Sequence, residues 1–345
     1  MNYKLNQDFK ILNNFHKKAR KLKIALLCGP KSFEDAVYFN ALPFEKVSSG
    51  FIYEKLMSMG LNVKVVKNTD KNLETKLSQF DVVFINMHGE YGEDGSIQGL
   101  LSYIDKPFTG AGIYGSAVGI DKVLTKKIIA KLGFKTPDWS LLPTSSFKSF
   151  SKVGQKFKKP AMAKIRNGGS SVGMHKILSE KEHKKVFNKI SKSEYSKQDY
   201  FIEEFIGGRD ITIAILQLPT QAIILPLLEI RPRKKTFYDQ NLKIKSQKGE
   251  HVVDYIVPAE IDQKVKKRIV REAKKIFSEA GCSGFGRLDL ILKGKTPYYL
   301  EINTIPGLQY ESNFLMCADT AGISIEMVLL ALLCNALDKY EIGTT

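Results

Sequence analysis

Residues 282–307, reading CSGFGRLDLILKGKTPYYLEINTIPG, carry two carboxylates, an amide and a guanidinium at spacings that could serve one cation and one phosphate. Alternation is strict in GRLDLIL, which puts Arg287 and Asp289 on one face and Leu288, Leu290 and Leu292 on the other. In YYLEIN the same period puts Glu301 and Asn303 on one face and Tyr298, Leu300 and Ile302 opposite. The intervening KGKTP is a hairpin-length turn, and a pivot at Lys295 sets Asp289 against Glu301 and Arg287 against Asn303. Facing carboxylates repel. A hard cation removes the conflict, and Asp, Glu and Asn oxygens suit Mg2+, which takes few protein carboxylates together with substrate phosphates. A solvated polar face on an edge hairpin would carry the same alternation, and spacing alone does not separate the two.

Such a hairpin needs a folded body to hold it. At 345 residues and 43% hydrophobic, the chain has room for two or three domains. The net charge of +17 raises nucleic acid as a partner. The lysines are scattered, however, with no arginine-rich run or aromatic RNA-binding motif, so neither nucleic acid nor a membrane is expected. Four cysteines without a CxxC pair fit a reducing cytosol, and the charged N-terminus lacks the apolar core of a signal peptide, so the expected location is cytoplasmic. Phe9, Leu12 and Phe15 sit at helical spacing in a basic extension that should pack on the first domain.

KIALLC, LNVKVVK and DVVFIN then read as strands alternating with helix, the pattern of an open parallel sheet whose ligands gather at strand carboxyl ends. Glu34 and His88 leave those ends on loops. KPAMAKIRNGGSSVGMHKIL reads as strand, glycine-rich loop, strand; its backbone N–H groups, serine hydroxyls and Lys164 could meet phosphate oxygens, and a tight hairpin turn is the competing account. Residues 231–258 are long, polar and lysine-rich, as lids are. The apolar run GISIEMVLLALLCNALD is too short to span a bilayer and reads as a buried last helix.

GFGRLDLIL followed by YLEINTIPG resembles the metal-binding end of the ATP-grasp ligases, and specifically the D-alanine:D-alanine ligase family, whose pattern is GRxD with ExNTxPG. The resemblance runs from about residue 23 to the C-terminus. It implies an α/β, overall α+β, ATP-grasp fold: a basic extension over 1–22, a parallel-sheet domain over 23–118, and two α+β subdomains over 119–204 and 205–345 that clamp ATP, the second bearing a lid at 231–258. The implied activity is ATP-dependent joining of two amino acids through an acyl phosphate, for peptidoglycan precursors. Asp289, Glu301 and Asn303 would hold Mg2+, with Mn2+ as a substitute, and Arg287 with the Gly307 N–H would face the oxyanion. Glu34 would take the ammonium of the first substrate, His88 would lie beside the reacting groups, and Ser312 would take the second substrate's carboxylate. Lys122, Lys164, Ser171 and Lys243 fall at nucleotide-contacting positions. Ser170 joins the catalytic group, Glu203 and Ile206 the adenine hinge, and Asp210 the ribose contact. D-alanine or a related amino or hydroxy acid is the implied substrate, and a homodimer is left open.

The sequence departs from that pattern in five places. Ile165 replaces a proline, Asp210 is one methylene shorter than the usual glutamate, and Ile244 stands where a lid tyrosine is usual. Gln309, Tyr310 and Glu311 make the acceptor segment bulkier and more acidic, and the lid is longer. An acceptor other than D-alanine, or an ATP-binding relative without ligation, are the alternatives. Without its tyrosine, the donor site is expected to bind D-alanine weakly unless Tyr38 or Tyr310 supplies the hydroxyl.

Overall fold

The computed structural model describes residues 3–169, 173–193, 196–233 and 252–343. Three sheets are present among them. The first is parallel, in the order β2 (Asn62–Lys67), β1 (Lys23–Cys28), β3 (Val82–Ile85). In β1 every residue after Lys23 is buried, as a central parallel strand covered on both faces requires. The second sheet is antiparallel, with β4 (Trp139–Leu142), β7 (Tyr200–Glu204), β5 (Ala161–Ile165) and β6 (His175–Ile177) side by side.

The third runs β11 (Val253–Ile256), β10 (Leu228–Pro232), β8 (Arg209–Leu218), β12 (Phe285–Lys293), β13 (Thr296–Asn303), with β9 (Gln221–Ile224) also on β8. Strand β8 is apolar on both faces because both are covered. Ala214, Leu216 and Leu218 join the core of the first sheet, while Ile211, Ile213 and Ile215 pack with Ile269, Ala273 and Ile276 of the helix Gln263–Glu279. Along β12, Phe285 lies in that first core; two and four residues on, the positions that repeat its face are Arg287 and Asp289. The apolar face thus turns polar at one end of the sheet, where the cavity opens.

The helix Tyr3–Ala19 buries Leu12 and Ala19, and His16 Nε2 lies 2.8 Å from the Met59 carbonyl of the first sheet's unit. It also reaches the third sheet, since the buried Asp8 accepts from Thr220 N (2.8 Å) and from the Gln221 side chain (2.9 Å). The last helix, Ile325–Gly343, is buried from Val328 through Cys334. Among the described residues no single helix is long and apolar enough to cross a membrane.

Two sequence expectations change. In β13 the alternation breaks. Lys293 pairs with Thr296 around a Gly294–Lys295 turn, and a bulge between Asp289 and Leu290 recovers the offset, with Leu290 opposite Tyr299 and Asp289 opposite Glu301. Tyr299, not Tyr298, is therefore buried with Ile302, and Leu300 and Glu301 both line the cavity. Residues 231–258 are not one loop either. Their ends are antiparallel strands, with Pro232 opposite Val253 and Glu229 opposite Ile256. Lys243, Ile244 and nearly all of the segment expected to close as a lid lie outside the described residues, as do Ser170 and Ser171.

Candidate active site

A cavity of about 910 Å³ opens where the three sheets meet. The β12–β13 hairpin forms one wall. Arg287 lies opposite Asn303 and Asp289 opposite Glu301, in the register expected from the sequence, and all four line the cavity. Arg287 donates through Nε and Nη2 to Asp289 at 2.9–3.1 Å. Thr212, directly across on β8, donates from Oγ1 to Asp289 Oδ1 at 2.7 Å. Glu301 sits 3.4 Å from Lys122 Nζ, and Asn303 Oδ1 accepts from Ile305 N at 3.0 Å. Burial pushes the Glu301 carboxyl up, but Lys122, Lys164 and Arg287 together hold it below the usual carboxylate range. Burial and the neighbouring Asp289 push Asp210 up to about 7 against Lys164.

The cationic side of the cavity is tied down from behind. Asp121 caps the helix Lys122–Lys131 by accepting from Val123 N and Leu124 N, and it also receives Arg166 through Nε and Nη2 at 2.7–3.0 Å. Lys122 Nζ donates to the Gly168 carbonyl, so the start of this helix grips the base of the glycine-rich loop. Lys164 on β5 pairs with Glu203 Oε1 at 2.5 Å, and Lys126, four residues after Lys122, pairs with Glu203 Oε2 at 2.7 Å. Burial alone would raise the Glu203 carboxyl; the two ammonium groups hold it down to about 2. The expectation for Glu203 concerned its backbone, whereas its side chain turns out to join two lysines. Ile206, three residues on, is buried and lines the cavity.

The first sheet supplies the opposite wall. Ser32 caps the helix Phe33–Ala41, and Glu34 in its first turn accepts from Gly169 N at 3.3 Å, bringing it against the glycine-rich loop. Asp35 accepts from His88 N at 2.9 Å and lies 2.8 Å from His88 Nδ1, which fixes the ring and leaves the proton on Nδ1. Gly89, at φ +71°, touches the Glu34 carboxylate so closely that a Cβ there would fall 2.1 Å from Oε2. The buried Glu93 bridges the walls, accepting from Gly89 N (2.7 Å) and Ile305 N (3.2 Å).

Beyond the hairpin, the Gln309 carboxamide lies over Gly307, its Oε1 2.5 Å from where a Cβ would stand. Ser312 caps the helix Asn313–Thr320 by accepting from Leu315 N at 3.4 Å; an accepting hydroxyl keeps its own proton to donate. All thirteen described residues expected at the site (Glu34, His88, Lys122, Lys164, Glu203, Ile206, Asp210, Arg287, Asp289, Glu301, Asn303, Gly307 and Ser312) converge on this one cavity.

Two family models match the chain: D-ala D-ala ligase N-terminus over residues 45–111 and D-ala D-ala ligase C-terminus over 128–334. The chain belongs to the D-alanine–D-alanine ligase family. Among curated members, the D-alanine–D-alanine ligase of Carboxydothermus hydrogenoformans is 34% identical, covering 93% of this chain and 100% of that protein, and that of Desulforamulus reducens is 33% identical, covering 92% and 99%. A crystal structure of the Bacillus anthracis D-alanine–D-alanine ligase superposes with a TM-score of 0.75 at 26% identity, covering 93% of this chain and 99% of that one. The VanG D-Ala:D-Ser ligase of Enterococcus faecalis, at 21% identity, shares the fold with a TM-score of 0.70 over 91% and 99%. The ATP-grasp fold expected from the sequence is the one this family has.

Thr212, Lys126, Asp35, Glu93 and the Asp121–Arg166 pair were not singled out in the sequence. Lys126 had one usable signal, its position one helical turn after Lys122.

Proposed function

We propose that this member of the family is an ATP-dependent ligase that joins the carboxylate of one amino acid to the amine of another, with D-alanine as the reference substrate. The observation that carries the proposal is the convergence of the Arg287, Asp289, Glu301 and Asn303 face with Lys122 and Lys164 on one side and Glu34 and His88 on the other. Glu34 offers a carboxylate to the donor's ammonium, and Arg287 offers a guanidinium to its carboxylate. Lys122 and Lys164 offer charge to phosphate oxygens. ATP would pass its γ-phosphoryl group to the donor carboxylate and leave as ADP; the acceptor nitrogen would then attack the activated carbon, expelling phosphate and releasing one proton.

The donor set fits Mg2+. Asp289 and Glu301 face each other with cations at hand, Arg287 on the first and Lys122 on the second. Among the described residues no cluster of three or more His, Cys, Asp or Glu side chains could hold a metal, so two carboxylates and one amide would leave coordination places to phosphate and water. Bound there, the ion would neutralise charge on the phosphoryl group. The side chains themselves position: little acid–base chemistry is asked of them. Four buried free cysteines suit a reducing compartment, and we place the reaction in the cytoplasm.

The test is ATP- and Mg2+-dependent phosphate release against D- and L-amino acids and hydroxy acids, with products identified by mass. D-Alanyl-D-alanine as the main product supports the proposal. A different acceptor is favoured by one observation, the Gln309 carboxamide over Gly307, and would show as a mixed product. ATP binding without any ligation product would overturn both.

A further inference from the structure

Lys126 stands outside the cavity, with its side chain 1% exposed. Its ammonium meets Glu203 Oε2 at 2.7 Å, Thr136 Oγ1 at 2.9 Å and the Pro137 carbonyl at 3.5 Å. Glu203 is equally enclosed, its side chain 3% exposed, and its other oxygen holds Lys164 at 2.5 Å. Lys164 does line the cavity. One carboxylate therefore lies between two ammonium groups, and the cluster carries one net positive charge.

A lysine buried this deeply is costly to keep charged, and desolvation does lower the Lys126 pKa, opposed by Glu203. If stability were its only use, an apolar side chain between the helix and β7 would serve as well or better. Its position gives it another effect. Were Lys126 neutral, Glu203 and Lys164 would form a closed neutral pair, and a phosphate in the cavity would meet almost no net charge from that pair. With Lys126 present, half of Glu203 is already compensated, and the charge of Lys164 remains uncancelled toward the cavity.

We propose that Lys126 is a positioning residue for nucleotide binding: by occupying one oxygen of Glu203, it leaves the Lys164 charge available to the phosphates of the substrate. This rests on the ligase reading above. Two further contacts fit the role. Thr136 and Pro137 also accept from the Lys126 ammonium, which anchors it in place beside Glu203. Lys122, on the same helix, reaches Glu301 and the glycine-rich loop, so this helix supports both cationic contacts, one directly and one through Glu203.

The test uses the full-length protein and measures ATP affinity by calorimetry, without turnover. Lys126→Gln keeps hydrogen-bonding capacity to Glu203 and Thr136 while removing the charge, Lys126→Met removes both, and Lys126→Arg restores the charge. A unit charge acting through a partly screened interior is expected to change the ATP dissociation constant on the order of tenfold. Lys126→Gln and Lys126→Met should therefore bind ATP about tenfold more weakly, and Lys126→Arg should recover most of that loss. In a Lys164→Met background the same substitutions should have little effect, because the group they act through is gone. An equal loss in both backgrounds, or unchanged ATP affinity in Lys126→Gln alongside a lowered melting temperature, would make Lys126 a structural residue and overturn the proposal. Failure of the unaltered protein to bind ATP would instead sink the ligase reading.

Discussion

Thr212→Val keeps the β-branched shape of a buried strand side chain and replaces the hydroxyl that donates to Asp289 Oδ1 at 2.7 Å with a methyl group. A hydrogen bond to a charged acceptor contributes about 1.5–3 kcal/mol. Asp289 would keep Arg287, which holds both of its oxygens at 2.9–3.1 Å, so the loss should fall at the low end of that range. The consequence for function is directional. With the Thr212 hydroxyl gone, Arg287 is the remaining side-chain donor to Asp289 among the described residues, and the carboxylate must leave that ion pair before it can hold a cation beside Glu301. Half-saturating Mg2+ for phosphate release should rise about tenfold, which corresponds to about 1.4 kcal/mol, while ATP affinity measured without metal stays unchanged. A titration of Mg2+ at fixed ATP, with a denaturant melt as control, reads both. Unchanged Mg2+ dependence in a folded Thr212→Val protein would refute the placement of the metal on Asp289.

Gly89→Ala should lose donor binding, because φ +71° is unfavourable for alanine and the new methyl would displace the Glu34 carboxylate; donor half-saturation rising more than about tenfold with ATP affinity intact is the expected result, and an unchanged value would remove Glu34 from the donor site. His183 is buried, neither ring nitrogen has a hydrogen-bond partner among the described residues, and burial with Lys159 nearby lowers its pKa below the ordinary 6.5. Above that value both folded and unfolded states carry neutral rings. Below it the unfolded chain binds a proton that the folded state resists, so stability falls as pH drops. His183→Phe should flatten the acid side of a melting-temperature profile, and an unaltered profile would show that another group sets it.

The register of the hairpin was legible because GRLDLIL and the Glu301–Asn303 pair carry unbroken polar alternation and KGKTP limits the turn. The bulge was not, since YYL is apolar throughout and gives no sign of which residue leaves the core; burial of Tyr299 in place of Tyr298 is decided by packing against the helix Gln263–Glu279. Strands β10 and β11 were hidden in a polar segment because its charges are satisfied in ion pairs, Glu229 with Arg231 along β10 and Arg233 with Asp254 across to β11, a pattern composition reads as loop. Lys126 and Glu203 were invisible for a related reason: each is an ordinary surface residue type until its partner is placed within 2.7 Å. Glu34 and His88 were readable as strand-end loop residues, but Asp35 and Glu93, which fix their surroundings, act through contacts between distant segments.

The most direct test of the central claim is isotope transfer. D-Alanine labelled with ¹⁸O in its carboxylate, incubated with the protein, ATP and Mg2+, should return one ¹⁸O in the released phosphate for each D-alanyl-D-alanine formed, because the bond broken in the second step joins the labelled oxygen to the carbonyl carbon. Dipeptide formed with unlabelled phosphate would contradict phosphoryl transfer to the donor carboxylate and with it the roles given to Arg287, Lys164 and the hairpin.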